Sequence, residues 1–455
     1  MLAFGGSNAM SSPPGIASAS AMRIVLPASF RYSSMVNSTC AGWPRSVMKT
    51  GPLLAAFLAC TSAGAQQPGR DFPEGPGKSM VVDVCGGCHD VNRLRAGYTA
   101  DGWHTVVRMM QNFGVPLPSD QVATVTDYLI KSFPEKPRPA AALIPGTVEV
   151  AIKEWPVATP GSRPHDPLAA RDGSLWYTGQ LANVLGRLDP ATGEIKEYKL
   201  NPMTGPHGLK EDAEGNIWFT GNFASLIGKL DPKAGKVTEY RLPDPAAKDP
   251  HSLVVDHDGI IWFTVQAGNR VGRLDPKTGE IKLVTPPTPN ARPYGIAVNS
   301  KNVVYFVEFG APKIASIDSS TMAIREFALP DAAARPRRLA IGPDDVIWYS
   351  DFARGYLGRL DPATGAVKEW LSPSGPQSQP YGMVFTKNAV WYSESGAKPN
   401  TIVRFDPGTE KFQTWAIPGG GDIVRNMDVN RDGNPVMANS LVNAVGLIEV
   451  NGPTH

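Results

Sequence analysis

The sequence lacks several features that would each assign a function class directly. Its 44 Lys and Arg residues nearly balance 42 Asp and Glu residues, and no basic cluster is present, which argues against nucleic acid as a partner. No apolar run is long enough for a permanent membrane span. Cysteine is scarce, with four among 455 residues. With 42% apolar residues, however, a chain of this length can hold more than one buried core.

The first 65 residues have the character of a leader. Residues 1–47 are rich in Ser, Ala, Pro and Gly and show no periodicity. From Met48, a basic start, a short apolar core and a small-residue site ending at Ala65 follow one another, as in a secretory signal peptide. We therefore expect translation to start at Met48, residues 1–47 to be a mis-assigned extension, and cleavage after Ala65 to give a periplasmic or secreted protein. A lipoprotein anchored at Cys60 is the alternative, but Phe57 is a poor residue at the start of a lipobox.

The mature chain would keep two cysteines, in the run Cys85-Gly-Gly-Cys88-His89. Two thiols at this spacing can add to the two vinyl groups of haem, and the adjacent histidine then reaches the iron. A redox dithiol and half a zinc site are the alternatives. Zinc needs four ligands, and no second Cys/His pair is nearby, while a thioredoxin-like motif needs a βαβ context that is absent. The motif predicts covalent haem c on Cys85 and Cys88, with His89 as an axial ligand of the iron.

The segment around this motif is small and helical. Ser79–Val84 is predicted as a short helix leading into the motif, and Asp101–Met110 as a second helix. Ser119 is predicted to cap a third helix, which ends before Pro134. The prolines over residues 135–146 then indicate a semi-rigid linker.

With the haem motif and the run Trp103-x-x-Val-Val-x-x-Met110, residues 66–134 resemble a class I cytochrome c. The resemblance implies a small all-α domain in which a methionine is the sixth iron ligand. A thioether favours ferrous iron and raises the potential for electron transfer. Met110 continues the apolar stripe of Trp103, so we expect it to be the ligand, with Met109 as the alternative. Ordinary core packing is the competing explanation for either methionine.

Residues 147–455 contain seven copies of one repeat. An aromatic residue recurs at intervals of 42 to 44 residues, as Trp176, Trp218, Trp262, Tyr305, Trp348 and Trp391. The copy around Trp218 is predicted to form four strands, over Gly208–Lys210, Ile217–Thr220, Leu226–Leu230 and Val237–Tyr240. A period in the low forties with four short strands is typical of a β-propeller blade.

The two ends of this region supply one blade between them. The last copy reaches Val445–Val450, which matches a third strand, and then the chain stops. Glu149–Trp155 resembles the missing fourth strand, so we expect it to close the ring and remove the exposed edges. The predicted fold class is therefore mainly β: a seven-bladed β-propeller preceded by a small all-α cytochrome c domain.

Equivalent positions in successive blades form rings around the central axis. The first ring follows the Pro-His site and comprises His165, His207, His251, Tyr294, Arg337, Tyr381 and Asn426. The second follows the aromatic strand and comprises Gly179, Gly221, Val265, Glu308, Asp351, Glu394 and Asn439. If both rings line one mouth, they form a polar pocket for a metal, an anion or a polar substrate. Alternatively, these residues merely cap strand ends and bond neighbouring loops.

The repeated runs Pro-His-Gly, Ile-Trp-Phe-Thr, Ile-Gly-(Lys/Arg)-Leu and Glu-Tyr resemble the virginiamycin B lyase family over residues 148–450. The resemblance implies an elimination that opens the ester of a streptogramin B-like cyclic depsipeptide. It also implies a histidine base, a second histidine, and Mg²⁺ held by two glutamates. In such a reaction the metal polarises a carbonyl while the base removes the adjacent proton.

This chain departs from that catalytic set in both registers that the repeat allows. In one register, Tyr294 and Arg337 replace the histidines, Arg335 replaces a metal ligand, and Asp351 alone keeps an acid. A single carboxylate would hold Mg²⁺ poorly.

In the other register, His207, Asp249 and His251 fit, but the second acidic ligand falls on Val265. Two functions therefore stay open, beside a third possibility in which the propeller serves only as a platform for protein docking. One is an oxidoreductase component, an exported c-type cytochrome whose propeller binds a small-molecule substrate or a redox partner protein. The other is a carbon–oxygen lyase acting with Mg²⁺. A covalent haem has no evident use in an elimination, which favours the first, and we expect a monomer.

Overall fold

The computed structural model describes residues 69, 71–86, 91–112 and 115–451. They comprise a helical segment up to residue 134 and a β-propeller that starts at residue 149. The predicted leader, Cys88 and His89 lie outside the described residues. Among the helices described, none combines the length and the apolar character that a membrane crossing requires.

The helical segment is built from short elements. In chain order they are helix α1 (Lys78–Met80), a π-helical turn (Val81–Cys85), a 3₁₀ helix (Val91–Ala96), helix α2 (Ala100–Asn112) and helix α3 (Val122–Ser132). Helices are thus present where the apolar spacing predicted them. Ser119 does not cap the third, since α3 begins after Gln121, which makes no side-chain capping hydrogen bond.

Apolar side chains hold these helices together. Trp103 is fully buried, and its indole N–H donates to the carbonyl of Phe133 at 2.8 Å. Val81, Val125 and Leu129 are buried in the same cluster. An aromatic group of this size contributes a large apolar area, while its one polar atom is satisfied by the backbone.

Seven four-stranded antiparallel sheets form the propeller. The strands of blades 1 to 3 are Pro164–Ala169, Leu175–Gly179, Val184–Leu188, Ile195–Lys199; Pro206–Glu211, Ile217–Gly221, Leu226–Asp231, Lys236–Arg241; and Pro250–Val255, Ile261–Val265, Arg270–Leu274, Ile281–Val284. Those of blades 4 to 6 are Pro293–Val298, Val304–Glu308, Lys313–Ile317, Ile324–Ala328; Pro336–Ile341, Ile347–Asp351, Tyr356–Leu360, Val367–Leu371; and Pro380–Thr386, Ala389–Glu394, Thr401–Asp406, Lys411–Ala416.

Blade 7 joins the two ends of the propeller, as the sequence predicted. Its strands are Val424–Val429, Pro435–Asn439, Ala444–Asn451 and the N-terminal strand Glu149–Pro156. The last two pair antiparallel over eight residues, from Glu149 opposite Asn451 to Pro156 opposite Ala444. The predicted closure by strand exchange is confirmed.

The recurrent Ile-Gly-(Lys/Arg)-Leu run has a packing reason. Gly228, on the third strand of blade 2, lies against the Phe219 ring of the second strand. A Cβ at this glycine would lie 2.0 Å from Cζ of that ring, so any side chain here would have to displace the ring.

The residues predicted as a linker run along the surface of blade 6. The amide of Ile144 donates to Oγ1 of Thr414 at 2.6 Å, and the amide of Thr414 donates to the carbonyl of Ile144 at 3.0 Å. Arg138 also forms an ion pair with Asp422 at 3.0 Å. These bonds attach the segment to the propeller, which proline content alone does not predict.

Candidate functional site

The innermost strand of every blade is bulged where it begins. In blade 3, Pro250 pairs with Val265 and the next pair is Leu253 with Phe263, so His251 and Ser252 stand outside the ladder. The same register shift follows the first residue of the innermost strand in all seven blades. In a β-strand, successive side chains point to opposite faces. A bulge interrupts this alternation, so the residues that follow the first position of each innermost strand can form a ring at the channel mouth.

In several blades, a hydroxyl group on the second strand holds the ring in place through hydrogen bonds. Thr220 accepts from the amide of Gly208 at 2.7 Å and donates to the carbonyl of His251 in the next blade at 2.7 Å. Equivalent bonds are made by Thr178, Thr264 and Ser350. The threonine of the Ile-Trp-Phe-Thr run is the sequence signal for this role, which the two predicted rings do not include.

The three histidines of blades 1 to 3 are in direct contact. The ring centroids of His165 and His207 lie 3.6 Å apart, and those of His207 and His251 lie 3.8 Å apart. His165 Nδ1 lies 2.8 Å from Oδ1 of Asp166. Nδ1 of His207 is buried and has no hydrogen-bond partner among the described residues.

Burial and charge keep these imidazoles neutral. Burial is the main cause that lowers the pKa of His165 well below 6.5, and four arginines, Arg425, Arg163, Arg338 and Arg337, lower it further. The pKa values of His207 and His251 are lowered in the same way, by burial first and then by the neighbouring histidine. The cluster can therefore accept a proton or a hydrogen bond, but it carries no charge of its own near neutral pH.

Tyrosine and arginine complete the ring in blades 4 to 7. The Arg337 guanidinium lies 4.0 Å from the ring centroid of Tyr381 and 4.1 Å from that of Phe352. The hydroxyls of Tyr294 and Tyr381 are hydrogen-bonded to each other. Burial alone would raise the pKa of Tyr381, but the adjacent arginines, Arg337 foremost, lower it to about 8.

The seventh position of the ring belongs to Arg425, and Asn426 follows it. Val424 pairs with Asn439 as Pro164 pairs with Gly179, which sets the register of this blade. Because the seventh copy has valine in place of proline, the expected position was wrong by one residue. The correction adds a cation to the mouth.

Arg338 spans the channel directly behind the ring. Its guanidinium donates to Oδ1 of Asp166 at 3.1 Å, to Oγ of Ser252 at 2.7 Å and to the carbonyl of Arg425 at 3.1 Å. Asn426 also donates to Asp166, at 2.8 Å. Arg338 thus connects blades 1, 3, 5 and 7, a role that no local pattern in the sequence indicates.

The fold does not place the carboxylates of the second ring beside the histidines. Asp351 pairs with Arg354 at 2.6 Å, and Glu394 accepts from the hydroxyls of Ser372 and Thr401 at 2.6 and 2.7 Å. Both Oε atoms of Glu308 are buried and unpaired among the described residues, and burial, followed by Glu326, raises its pKa to about 8.

Asp249, the proposed metal ligand of blade 3, is also engaged elsewhere. It accepts a hydrogen bond from the amide nitrogen of Asn222, and burial raises its pKa to about 6. Among the described residues, the cluster with metal-ligand spacing is instead His165, Asp166 and His207, whose ligand atoms lie within 4.8 Å of one another. This set does not suit Mg²⁺, which prefers oxygen ligands, and its one carboxylate is already paired with Arg338.

A second candidate site lies where the helical segment meets the propeller. It is a cavity of about 260 Å³ with mainly apolar walls. The helical segment contributes, among others, Cys85, Leu94, Trp103, Met109, Met110 and Leu129, and the propeller contributes Arg163, Ile423, Arg425 and Leu441. Met109 packs on Leu181 and Leu441 of the propeller, and Met110 lies partly buried beside it, so both methionines border the cavity.

The propeller matches known proteins. A family model described as the virginiamycin B lyase family matches residues 145–404. A streptogramin B lyase structure is 30% identical, with a TM-score of 0.61, and the match covers 66% of this chain and 98% of that chain. Two structures of virginiamycin B lyase from Staphylococcus aureus, one of selenomethionine-substituted protein and one of a catalytically inactive variant with quinupristin, are each 26% identical. They have TM-scores of 0.61 and 0.60 and cover 66% of this chain and 99% of their own. Among curated proteins, no sequence matches the chain.

Proposed function

This chain belongs to the virginiamycin B lyase family, and we propose that it is an exported c-type cytochrome in which a family propeller is joined to a haem-carrying helical segment. The propeller would bind a small polar substrate or a redox partner beside the haem. The observation that carries the proposal is the apolar cavity with Cys85 of the haem motif and two methionines in its wall.

The residues around this cavity fit haem c. Cys85 would form one thioether bond, and Cys88 and His89, which lie outside the described residues, would supply the second thioether and an axial ligand. The apolar side chains of Leu94, Trp103 and Leu129 would cover the macrocycle and exclude water from it. When bound, haem c supplies an iron centre that exchanges one electron at a time.

The proposal also specifies which of the two methionines binds the iron. We propose Met110 as the sixth ligand, because Met109 is 6% exposed and belongs to the buried cluster with Leu181 and Leu441, whereas Met110 is only partly buried against that cluster. A thioether that fills an apolar contact between two regions is less available to the iron.

The test is an absorption spectrum of the full chain, produced in a host that matures c-type cytochromes. We expect a reducible haem that stays with the polypeptide after denaturation, and its loss in the Cys85→Ala, Cys88→Ala double variant. Met110→Ala should abolish the signature of methionine ligation, whereas Met109→Ala and the exposed control Met203→Ala should retain it. A wild-type chain without covalent haem would overturn the proposal.

A lyase is the second candidate, and the three neutral histidines favour it. A neutral imidazole can serve as the base that removes a proton next to a carbonyl. The described residues do not assemble a Mg²⁺ site at these histidines. Mass spectrometry of a streptogramin B incubated with the protein, with Mg²⁺ and then with a chelator, tests this candidate. A linearised product of unchanged elemental composition would establish the lyase, and an intact antibiotic would exclude that substrate.

A further inference from the structure

Two arginines of the propeller face the cavity that we assign to haem. Arg163 precedes the innermost strand of blade 1, and Arg425 is the second residue of the innermost strand of blade 7. These blades are neighbours in the ring, and both arginines line the cavity beneath the helical segment. The propeller therefore contributes positive charge to a site whose other wall is apolar.

Neither arginine is ion-paired with a carboxylate among the described residues. One guanidinium nitrogen of Arg163 donates to Oε1 of Gln180 at 2.6 Å, and its Nε is buried with no hydrogen-bond partner in the described part of the chain. Arg425 donates from Nε to Oγ of Ser440 at 2.8 Å. Burial, and then the positive charge of Arg425, lowers the pKa of Arg163 to about 9.

Both arginines are partly buried, and like charges that are partly removed from water are unfavourable unless an anion neutralises them. Asp166, a buried carboxylate of the channel, already accepts hydrogen bonds from Arg338 and from Asn426. The wall formed by Arg163 and Arg425 is thus complementary to a ligand that carries negative charge.

The same charges argue against a cation in the adjoining cluster. His165, Asp166 and His207 have metal-ligand spacing, but four arginines act on His165. Their combined positive potential opposes a divalent ion there. An anion is the ligand that the local charges favour.

We propose that Arg163 and Arg425 bind the two propionate carboxylates of the haem. This inference rests on the proposed function and adds the propeller's part in it. Haem combines an apolar macrocycle with two carboxylates, and the cavity combines apolar helices with two guanidinium groups. Charge-assisted arginine–carboxylate pairs are strong and directional, so the propeller would fix the haem and help to set its potential.

The experiment is a spectroelectrochemical titration of the haem in the full chain. The variants are Arg163→Gln, Arg425→Gln and the double variant. Arg163→Lys keeps the charge, and Arg187→Gln removes a charge from a half-exposed pair with Asp172 on blade 1. Positive charge beside the haem favours the reduced iron, so each glutamine variant should show a lower midpoint potential and the double variant the lowest. Arg163→Lys should keep most of the wild-type potential, and Arg187→Gln all of it.

The covalent haem content distinguishes a failure of this inference from a failure of the proposed function. Thioether attachment does not involve the arginines, so the variants should carry as much haem as the wild type. Haem-loaded single variants with the wild-type potential would overturn the role of the arginines and leave the proposed function standing. A wild-type chain that carries no covalent haem would overturn the proposed function and this inference together. If the double variant fails to fold, the two single glutamine variants and Arg163→Lys still decide the result.

Discussion

The two walls of the cavity between the helical segment and the propeller differ in what they offer a ligand. The helical wall is apolar and contributes sulfur, through Cys85, Met109 and Met110. The propeller wall contributes guanidinium groups, and behind it lies a buried network of imidazoles, hydroxyls and arginines. An amphipathic ligand therefore suits this cavity, since neither wall alone would hold both an apolar ring and its carboxylates.

The largest effect on stability is expected at the polar centre of the propeller, where Arg338 meets Asp166. Replacing Arg338 by methionine would leave Asp166 buried without its ionic partner, which we expect to lower the free energy of unfolding by about 3–5 kcal/mol. Urea unfolding followed by tryptophan fluorescence measures this loss. Arg187→Met, at a partly exposed pair, is the matched control and should cost about 1 kcal/mol or less. Equal stability of the Arg338 variant and the wild type would show that the channel network does not hold the blades together.

Acid should also lower the free energy of unfolding, through the three buried histidines of the channel. The pKa values of His165, His207 and His251 lie below 6.5 in the folded protein, so between pH 6.5 and those lowered values the unfolded chain binds protons that the native one does not. We expect stability to be unaffected by these groups above pH 6.5 and to fall below it, by about 1.4 kcal/mol per pH unit for each histidine. Unfolding temperatures from pH 7.5 to 5 provide the measurement. His207→Asn should flatten the decline, while the exposed control His257→Asn should not. A decline of the same steepness in His207→Asn would contradict the assignment.

A smaller effect should come from the hydroxyls that hold the ring. Thr220→Val keeps the shape of the side chain but leaves the amide of Gly208 and the carbonyl of His251 without this partner. We expect a loss of about 1–2 kcal/mol in urea unfolding. The exposed turn residue Thr278 provides the control variant Thr278→Val, which should change stability less. Val307 occupies the equivalent position in blade 4, so that blade already lacks the bond, and a Thr220 variant of unchanged stability would show that blade packing alone positions the ring.

Much of the propeller could be predicted from the sequence, because its signals are local and repeated. The aromatic runs, the glycine against the aromatic ring and the turn residues recur in most copies, so the strands and the closing strand Glu149–Pro156 fall where the pattern predicts them. The register of blade 7 was missed because Val424 replaces the proline that marks the other copies.

The contacts at the channel mouth could be predicted less well from the sequence. Arg338 and Asp166 lie 172 residues apart in the chain, and nothing local indicates that they meet across the channel. The carboxylates of the second ring were placed by rotation alone, but side chains on a strand alternate between faces, and Asp351 is held by Arg354 in its own blade. Arg163 precedes the Pro-His site and belongs to neither ring, so its position at the cavity became visible only in three dimensions.

The most direct test of the central claim is the intact mass of the full chain after export from cells that mature c-type cytochromes. The account predicts a polypeptide that begins at Gln66 and carries the mass of one covalently bound haem, which disappears in the Cys85→Ala, Cys88→Ala variant. A mature wild-type chain at its unmodified polypeptide mass would contradict the account, and the cavity between helices and propeller would then need a different ligand.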